Sequence, residues 1–537
     1  MPLNLLLDAW IPVQREQDED LIAPWQLTET PNPILRLNAP RADFNGALMQ
    51  FLIAVLQTTI PPKNDEVWAD SLVEPPTPEQ LKQKFTPFAY AFEVQHEKGS
   101  FMQDFEALNT EPNGISDLLI DAPGGNTIKE NKDFFVKRGR VEQLCPSCAV
   151  TALFTLQTNA PSGGAGHRTS IRGGGPLTTL IIVDDKAQSG SSQEVLLNDL
   201  WRNVWLNVLD LNTAKTLTGD LEKTDKAAMF PWLAPTRTSE KGGKDTTAID
   251  VHPWQMYWAM PRRIRIEWDS KLEGQCDICY VHCKRLVTHY QTKNYGVNYI
   301  GAWQHPLSPY SLTKKGEWLP QHAQPNGMTY QHWLGFMKNN ENQISASVVK
   351  RYLKVAPEWE EVVRLHVFGY DMDNMKARCW YEATFPIYIV PADVRLAFSN
   401  NIEHLTASAT EVAGYVRSCV KDAWFSRPSD VKGDTSFITK SFYQHTEAKF
   451  FQFAKNLPHH LQQRSEKELL NQWHEVLRTT AFQVFDYWAA SGDIAQGDPC
   501  KIANARTKLL KLLYGNAIKK TLMLPPSPKE TKAKEAA

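Results

Sequence analysis

The sequence lacks the features that direct a protein into or across a membrane. No apolar run approaches the length of about 18 residues that a bilayer-spanning helix needs. Residues 1–8 have no basic segment and their apolar run ends at Asp8, which is unlike a signal peptide. We therefore expect a cytoplasmic protein with no membrane partner.

An excess of charge of either sign is also absent. The chain has 58 Lys and Arg against 60 Asp and Glu, for a formal net charge of −2. No global attraction to nucleic acid follows, so any nucleic-acid surface must be local or shared with partner subunits. With 537 residues, 42% of them hydrophobic and 22% charged, the chain has the composition of a globular protein of two to four domains.

Catalytic motifs are missing as well. The sequence contains no His-Glu-x-x-His, no Gly-x-Ser-x-Gly and no phosphate loop ending in Gly-Lys-Ser/Thr. The His459-His460 pair follows Pro458 and is expected on the surface of a loop between helices. These absences favour a protein that is not an enzyme.

Cysteine is present in eight copies, four of them in two Cys-x-x-Cys pairs: Cys145 with Cys148, and Cys276 with Cys279. In a reducing cytosol such pairs indicate a metal site and not a disulfide framework. Four thiolates are the ligand set of a structural Zn²⁺ ion, and the long gap between the pairs means that the metal would clamp distant parts of one fold. The alternatives are four unligated thiols, or a ligand set in which a neighbour of Cys279 takes part. Those neighbours are His282 and Cys283.

Glycine is concentrated in residues 161–168 (Pro-Ser-Gly-Gly-Ala-Gly-His-Arg) and 172–175 (Arg-Gly-Gly-Gly). Glycine lets the backbone approach a ligand closely and expose its N–H donors. One interpretation is a backbone contact to nucleic acid, with Arg168 and Arg172 on phosphates. The other is a flexible surface loop.

Two further segments have a composition that suits nucleic acid. Residues 132–140 (Lys-Asp-Phe-Phe-Val-Lys-Arg-Gly-Arg) interleave aromatic and basic side chains, which combines stacking with charge. Residues 371–376 (Asp-Met-Asp-Asn-Met-Lys) form the expected tip of a hairpin. Asp371 and Asp373 suggest either a cation site or an ordinary turn, and the flanking Met side chains suggest a wedge between base steps.

Periodicity predicts an α+β protein with three parts. Strand-like runs and a helix from Asp43 to Thr59 lie in residues 1–390, which we expect to form a large mixed α/β domain carrying the zinc-knuckle pair. Residues 391–524 contain four amphipathic helical segments with short connections, which favours an all-α antiparallel four-helix bundle. The second of these is expected to stop before Pro458, and the third to begin with a capping box at Ser465 and Glu468. Residues 525–537 are expected to be a disordered tail.

Several short motifs spread over nearly the whole chain resemble those of the CasA family, the large subunits of the type I-E CRISPR Cascade complex. No single motif is specific for this family, but their joint presence in one chain is. They are residues 5–13 (Leu-Leu-Leu-Asp-Ala-Trp-Ile-Pro-Val), 144–148 (Leu-Cys-Pro-Ser-Cys), 159–161 (Asn-Ala-Pro), 171–179 (Ile-Arg-Gly-Gly-Gly-Pro-Leu-Thr-Thr), 303–309 (Trp-Gln-His-Pro-Leu-Ser-Pro) and 313–317 (Thr-Lys-Lys-Gly-Glu).

The resemblance implies a non-catalytic subunit that recognises the protospacer-adjacent motif, a short DNA sequence beside the target. Such a subunit helps to open the duplex and presents the complex to a separate helicase-nuclease, while guide RNA pairing reads the rest of the target. The implied partners are the other Cascade subunits, CRISPR RNA, double-stranded target DNA and the helicase-nuclease, and the implied role is antiviral defence.

The resemblance also implies site residues, since the family reads its motif from the minor groove with a glycine loop, a lysine finger and a wedge hairpin. The wedge uses Gln in the family's best-known member, and this chain has the shorter Asn instead, so wedging would rely on Met375 or Met372. A first loop touches DNA or the end of the guide. The implied residues are Gly163, Gly164, Ala165 and Gly166 with Arg168 for the glycine loop, Lys293 or Asn294 for the finger, Asp373, Asn374 and Met375 for the wedge, and Phe134, Phe135 and Lys137 for the first loop.

Two other functions remain open from the sequence. A zinc-containing nuclease would need acidic or histidine side chains near the cysteine pairs, and a purely structural scaffold would use the helical bundle as a docking platform. In the favoured interpretation the metal performs no chemistry. It holds together the first loop, the glycine loop and the Lys293 segment.

Overall fold

The structure is a computed structural model, and it describes most of the chain. The described residues are 3–122, 129, 139–183, 199–218, 226–268, 271–301, 303–325, 327–355, 363–373, 376–430, 433–491 and 497–526. They divide into two compact units, one of residues 1–323 and 339–384 and one of residues 324–338 and 385–537. Helices and small sheets are mixed in the first unit, as predicted.

The strands of the described residues are short and form small sheets. Three-stranded sheets have the orders β2-β1-β3, β11-β10-β12, β14-β13-β5 and β4-β9-β6, and β7 pairs with β8 alone. The strands are β1 (Ile11–Arg15), β2 (Glu19–Ile22), β3 (Ile34–Leu37), β4 (Asn113–Gly114), β5 (Thr178–Val183), β6 (Arg263–Ile266), β7 (Gly274–Gln275), β8 (His282–Cys283), β9 (His289–Lys293), β10 (Tyr310–Leu312), β11 (Trp318–Pro320), β12 (Gln343–Ile344), β13 (Val363–Asp373) and β14 (Lys376–Pro386).

The helices of the first unit surround these sheets. Short 3₁₀ segments cover Pro24–Thr28, Thr86–Phe92, Ile115–Leu118, Pro231–Leu233 and Pro253–Tyr257. The α-helices are α1 (Ala42–Thr59), α2 (Asp65–Val73), α3 (Pro78–Phe85), α4 (Pro146–Asn159), α5 (Asp199–Trp205), α6 (Leu211–Thr218), α7 (Lys226–Met229) and, later in the chain, α9 (Ser347–Val355).

Helix α1 is the centre of the first unit's core, and its position confirms the predicted helix from Asp43 to Thr59. Most of its side chains are buried, including the polar Gln50 and Gln57. Phe51 makes edge-to-face contacts with Trp10, Trp258 and other rings at centroid distances between 5.3 and 6.2 Å. Edge-to-face packing brings the positive ring edge to the negative ring face, so this cluster stabilises the unit beyond the area that it buries.

The hairpin β13–β14 differs from its prediction. The sequence predicts strands over residues 362–368 and 385–390 with a long tip between them. The first strand continues to Asp373, whereas the second covers Lys376–Pro386, so residues 387–390 are not in a strand. Strand β13 pairs with β5 along its whole first half, from Val363 opposite Val183 to Phe368 opposite Thr178. The hairpin is therefore a long arm whose tip, residues 374–375, lies outside the described residues.

The second unit is helical in its described part. Helix α10 packs against α11, α12 and α13, and the indole of Trp473 on α12 donates a hydrogen bond of 3.1 Å to the carbonyl of Leu405 on α10. The α-helices are α8 (Tyr330–Met337), α10 (Arg395–Trp424), α11 (Ser436–Gln462), α12 (Glu466–Ala490), α13 (Pro499–Tyr514) and α14 (Asn516–Thr521), with a 3₁₀ segment at Pro428–Asp430. None of the helices in the described ranges is both long and apolar enough to cross a bilayer.

Two details of these helices correct the sequence predictions. Helix α11 continues through Pro458 to Gln462, so His459 and His460 lie in a helix and not in a loop. The missing N–H of proline costs one helical bond, but burial of Ala454 and Leu457 holds the helix together around it. The predicted capping box at the start of α12 does not form, because the Ser465 hydroxyl makes no cap bond and lies 2.9 Å from His460 Nδ1 instead.

Candidate metal centre and nucleic-acid interface

The four cysteines of the two Cys-x-x-Cys pairs come together in the first unit. The sulfur atoms of Cys145, Cys148, Cys276 and Cys279 all lie within 4.8 Å of one another, and Cys145 and Cys279 are 3.6 Å apart. A Zn²⁺ ion with bonds of about 2.3 Å to four sulfurs keeps them about 3.8 Å apart. The chemistry and the spacing of this donor set therefore fit a tetrahedral metal site, as predicted.

Local structure holds each pair in place. Cys145 is the N-cap of helix α4, and its sulfur accepts the backbone N–H of Cys148 at 3.4 Å. Cys276 and Cys279 lie in the turn that joins β7 to β8, and the residue after them, Tyr280, has a positive φ of 60°. The left-handed conformation of Tyr280 turns the chain back so that both sulfurs face the same point.

Hydrogen bonds also join the two pairs to each other. The Asp277 carboxylate accepts the backbone N–H groups of Glu142 and Gln143 at 2.7 and 2.9 Å, and Leu144 pairs with Val287. The widely separated sequences are therefore fixed side by side by the protein itself.

Contacts among the four thiols shift their pKa values in opposite directions. The pKa is lowered for Cys276 and Cys279, to about 7 for Cys279, and is raised for Cys145 and Cys148. Cys276 and Cys279 are therefore the thiols that lose their protons first. The two alternative ligands are placed elsewhere. The Cys283 sulfur lies 3.2 Å from the carbonyl of Arg285, and His282 is exposed with its Nδ1 3.9 Å from Glu273.

The glycine loop, residues 162–166, contacts the finger segment, residues 293–295. The Tyr295 N–H donates to the Gly166 carbonyl at 2.8 Å, and the Asn294 amide donates to the Ala165 carbonyl at 2.9 Å. A Cβ added to Gly166, which has a φ of 79°, would lie 2.9 Å from the Cβ of Asn294. A side chain on Gly163 would meet the ring of His167, so two of the glycines are required by close contacts. The structure thus brings both predicted elements into one surface.

Gly164 is different, because a Cβ added there would have no atom within 4 Å. Gly164 and Ala165 are exposed at the tip of the loop. A tight bond from the His167 N–H to the Gly164 carbonyl, 3.0 Å long, closes this tip. The tip can therefore approach another molecule with little side chain in the way.

Lys293 is exposed beside an ionic network. It lies opposite Arg263 in the β6–β9 pair, and like charges directly opposite each other repel. The Glu240 carboxylate offsets this repulsion, since it lies 3.9 Å from the Lys293 ammonium and 3.2 Å from the Arg263 guanidinium. Arg263 also binds the buried Asp104 at 2.6 Å. The side chain of Lys293 is 48% exposed, so its charge remains available to a ligand.

The two arginines near the glycine loop have different environments. Arg168 is half-buried and donates to the Ser239 hydroxyl at 2.7 Å, which places it at the edge of the surface. Arg172 is only 1% exposed and donates to Thr178, Ser308 and Gln50. Its burial lowers its pKa to about 10. The interpretation of Arg172 as a phosphate ligand is therefore wrong, because it is enclosed in the core.

The wedge hairpin starts close to the glycine-rich residues 172–175. A Cβ on Gly175 would lie 2.8 Å from the Met372 side chain, and one on Gly174 would lie 3.0 Å from the Cα of Pro161. The carboxylate of Asp371 forms two bonds with Arg378, and Asp373 lies 3.7 Å from the same guanidinium. These ion pairs satisfy both carboxylates, which favours the ordinary turn over the cation site.

Five predicted site residues lie outside the described residues. They are Phe134, Phe135 and Lys137 of the first loop and Asn374 and Met375 of the wedge.

The cysteine cluster and the glycine loop lie at opposite ends of the same helix. Helix α4 begins beside Cys145 and ends at Asn159, which for 14 residues is a length of about 21 Å. Strand β9 also connects the two places. It begins two residues after Val287, which pairs with Leu144 beside the cluster, and it ends at Lys293. At the far end, the Gln157 amide donates to the Arg262 carbonyl at 3.0 Å and accepts its N–H at 2.9 Å. The cluster therefore supports the surface from a distance and is not at the base of its loops.

Sequence reasoning missed the residues that connect this surface. Ser239 bonds to Arg168, Tyr295 and Gly296, and Glu240 bonds to Arg263 and Lys293. Arg262 bonds to the carbonyl of Pro161 and to His167. A sequence signal existed only for the arginines, since Arg-Arg-Ile-Arg alternates charged and apolar residues as a half-buried strand does.

Comparisons with known proteins agree on one family. The family model for "CRISPR-associated protein Cse1" matches residues 4–484. The fold is similar to that of Thermus thermophilus CasA (Cse1), with a TM-score of 0.69 at 16% identity over 95% of this chain and 99% of that one. Thermobifida fusca Cse1 gives a TM-score of 0.69 at 16% identity, over 98% and 99% of the two chains.

A chain of a structure titled "CRISPR RNA-guided surveillance complex" gives a TM-score of 0.67 at 12% identity. The match covers 96% of this chain and 100% of that one.

Proposed function

Because the chain belongs to the CRISPR-associated Cse1 family, we propose that it is the non-catalytic large subunit of a type I-E Cascade complex. In this role it recognises the protospacer-adjacent motif in double-stranded DNA, promotes opening of the duplex and helps to recruit the helicase-nuclease. Its partners are the other Cascade subunits, the CRISPR RNA and the target DNA. Similarity of the fold to Thermus thermophilus CasA and to a chain of a CRISPR RNA-guided surveillance complex supports this assignment.

The observation that carries the proposal is the direct bonding of the glycine loop to the Lys293 segment. Two separate parts of the sequence form one exposed edge that carries a nearly bare backbone tip and an available ammonium group. A minor groove about 6 Å wide admits a slim backbone loop more easily than a helix. The groove's pattern of donors and acceptors is degenerate, so such an edge would accept several variants of a short motif.

The chemistry of recognition is non-covalent. The Lys293 ammonium would donate to acceptors on the floor of the groove, and the backbone at Gly164 and Ala165 would contact the groove walls. Arg168, held by Ser239, would bind a phosphate at the edge. The hairpin tip with Asn374 and Met375, supported by Met372 against Gly175, would part the first base pairs.

We assign the four cysteines to a structural Zn²⁺ ion, which would supply rigidity only. Four thiolates leave no open coordination position, so this donor set favours a closed site over that of a hydrolytic nuclease. The helices α10–α13 are proposed to form the antiparallel four-helix bundle, and residues 1–390 the DNA-recognition domain. The scaffold role of the bundle is compatible with recognition by the first domain.

The test is a gel-shift titration at fixed salt with the assembled complex and duplexes that carry or lack the motif. Lys293→Ala combined with Gly164→Asp should weaken binding to motif-bearing DNA by at least about tenfold. The complex should stay intact, since neither side chain supports the core. The matched control is Lys63→Ala with Lys84→Ala, two exposed lysines in another part of the first unit.

Unchanged affinity of the double variant would refute the assignment of these two elements. A wild-type complex that binds both duplexes equally would refute motif recognition as a whole, and would favour a purely structural subunit.

A further inference from the structure

A tight turn beside Lys293 carries two lysines that the proposed recognition edge does not include. Residues 240–244 (Glu-Lys-Gly-Gly-Lys) form this turn, and we name it the basic turn. The Gly243 N–H donates to the Glu240 carbonyl at 2.7 Å, and Gly242 has a φ of 88°. A Cβ on Gly243 would lie 2.1 Å from the Thr238 carbonyl oxygen. Both glycines are therefore required for this backbone path, which presents Lys241 and Lys244 on either side of them.

The basic turn is fixed to the glycine loop and the finger segment by its N-terminal side. The Ser239 N–H donates to the Tyr295 carbonyl at 3.0 Å, and its hydroxyl donates to the Gly296 carbonyl at 2.8 Å while accepting from Arg168. Glu240 lies 3.9 Å from Lys293. Lys241 is the next residue in the chain, so the basic turn begins directly beside the finger segment.

The C-terminal side of the basic turn is anchored as well. The Thr246 N–H donates to the Asn298 carbonyl at 2.8 Å, and the Asp245 carboxylate accepts from the Asn298 amide at 2.7 Å. Arg237 donates to the Thr246 hydroxyl at 3.0 Å, which ties the two sides of the turn together. The turn is therefore a built feature of the first unit, held at both ends.

The charges around the turn leave its lysines available. The acidic neighbours are engaged: Glu240 by Arg263 and Lys293, Asp245 by Asn298, and Asp250 by Thr247. Lys241 and Lys244 are exposed, and neither forms a hydrogen bond or an ion pair with another described residue. The turn therefore adds two exposed ammonium groups near Lys293 and Arg168, on a chain whose net charge is −2.

We propose that Lys241 and Lys244 of the basic turn bind backbone phosphates of the same DNA duplex whose groove meets the glycine loop and Lys293. This inference rests on the proposed function, and it adds a second kind of contact. A minor groove is bordered on both sides by phosphates, so a surface that inserts Lys293 into the groove brings its neighbours onto the border. Lysine binds phosphate as a point charge and reads no sequence. The turn would therefore add affinity without adding motif preference.

The test compares three complexes: wild type, Lys241→Ala with Lys244→Ala, and the control Lys63→Ala with Lys84→Ala. Affinity is measured for duplexes with and without the motif between 50 and about 300 mM salt. Each lost phosphate contact should reduce the slope of log affinity against log salt by about 0.9, so the variant should lose about 1.8. Affinity should fall by about tenfold for both duplexes, and their ratio should stay unchanged.

The charge-preserving variant Lys241→Arg with Lys244→Arg should restore the slope, which separates lost charge from a disturbed turn. If Lys241→Ala with Lys244→Ala has the same slope and affinity as the wild type and the control, the inference is overturned. The proposed function stays intact in that case as long as the wild type discriminates the motif. A selective loss for motif-bearing DNA would overturn it too, since the lysines would then read sequence. Reduced CRISPR RNA in the purified variant complex would assign them to RNA and also overturn it.

Discussion

The N–H of Tyr295 donates a hydrogen bond of 2.8 Å to the carbonyl of Gly166, and this bond joins two segments that are far apart in the sequence. Gly166 and Tyr295 both have positive φ, 79° and 62°, so each chain turns sharply at the point of contact. The bond fixes the distance between the glycine loop tip and Lys293. Recognition of a motif by these two elements would require that distance to be constant.

Gly166→Ala should therefore damage the surface more than Gly164→Ala does. A Cβ at residue 166 would lie 2.9 Å from Asn294 and 3.0 Å from the Tyr295 ring, in a backbone conformation that alanine adopts at a cost. We expect Gly166→Ala to lower the free energy of unfolding of the first unit by about 1–2 kcal/mol, and to weaken binding to motif-bearing DNA. Thermal unfolding and gel-shift titration measure the two effects.

Gly164→Ala is the control, because a Cβ there meets nothing within 4 Å. It should leave stability within about 0.5 kcal/mol of the wild type. Equal effects of the two substitutions would show that the contact between the loops is unimportant.

Arg172 and Arg168 should respond differently to replacement by alanine. Arg172→Ala removes the donor to Gln50, Thr178 and Ser308 from a buried cluster, so we expect a loss of at least about 2 kcal/mol in unfolding free energy. Arg168→Ala removes an arginine at the edge of the surface, and the salt slope of DNA binding should decrease by about 0.9 with little change in stability. A stable Arg172→Ala variant with a reduced salt slope would contradict the buried position.

The cysteine centre and the glycine loop could be predicted because their signals are local. A Cys-x-x-Cys turn brings two sulfurs together by its own geometry, and clustered glycines indicate unusual backbone whatever the rest of the fold does. The helix from Ala42 to Thr59 was predictable for the same reason, since its apolar spacing lies within one segment.

The errors concern properties that distant residues decide. The burial of Arg172 depends on Gln50 and Ser308, which are more than a hundred residues away in either direction. The roles of Ser239 and Glu240 depend in the same way on contacts with residues of β6, β9 and the glycine loop. No periodicity records such contacts. Residues 324–338 belong to the second unit, whereas the pattern of the sequence predicts them within the mixed α/β domain of residues 1–390.

Because of His305, the free energy of unfolding should decrease as the pH falls below about 6.5. Burial, followed by the neighbouring Arg172 charge, lowers the pKa of His305 well below its usual value. The neutral ring is therefore the form that the fold stabilises. The unfolded chain takes up the proton first as the pH falls through about 6.5, so this contribution is present above that pH and is lost below it. The loss is at most about 1.4 kcal/mol per pH unit for one histidine.

The measurement is the urea midpoint of the wild type and of His305→Gln at pH 5, 6, 7 and 8. The substituted side chain faces Arg172 and Tyr257. The ring centroid of Tyr257 lies 5.1 Å from that of His305. His305→Gln should make the acid dependence shallower, because it removes the buried group that takes up a proton on unfolding. An identical pH dependence in wild type and His305→Gln would show that the ring does not titrate with folding.

Removal of the cysteine centre tests whether support from about 20 Å away matters to the recognition surface. Cys276→Ser with Cys279→Ser should abolish binding of about one Zn²⁺ per chain, measured by elemental analysis, and should lower the unfolding midpoint. The control, Cys283→Ser, changes a sulfur outside the cluster and should keep both the zinc content and the unfolding midpoint of the wild type.

Helix α4 and strand β9 both extend from the cluster to the surface, so loosening their common origin should shift Gly166 and Lys293 relative to each other. Discrimination between motif-bearing and motif-lacking DNA should therefore decrease in the double variant, at a temperature where it is still folded. Full discrimination by a zinc-free, folded variant would show that the bonds from Asp277 and Leu144 align the two elements without the metal.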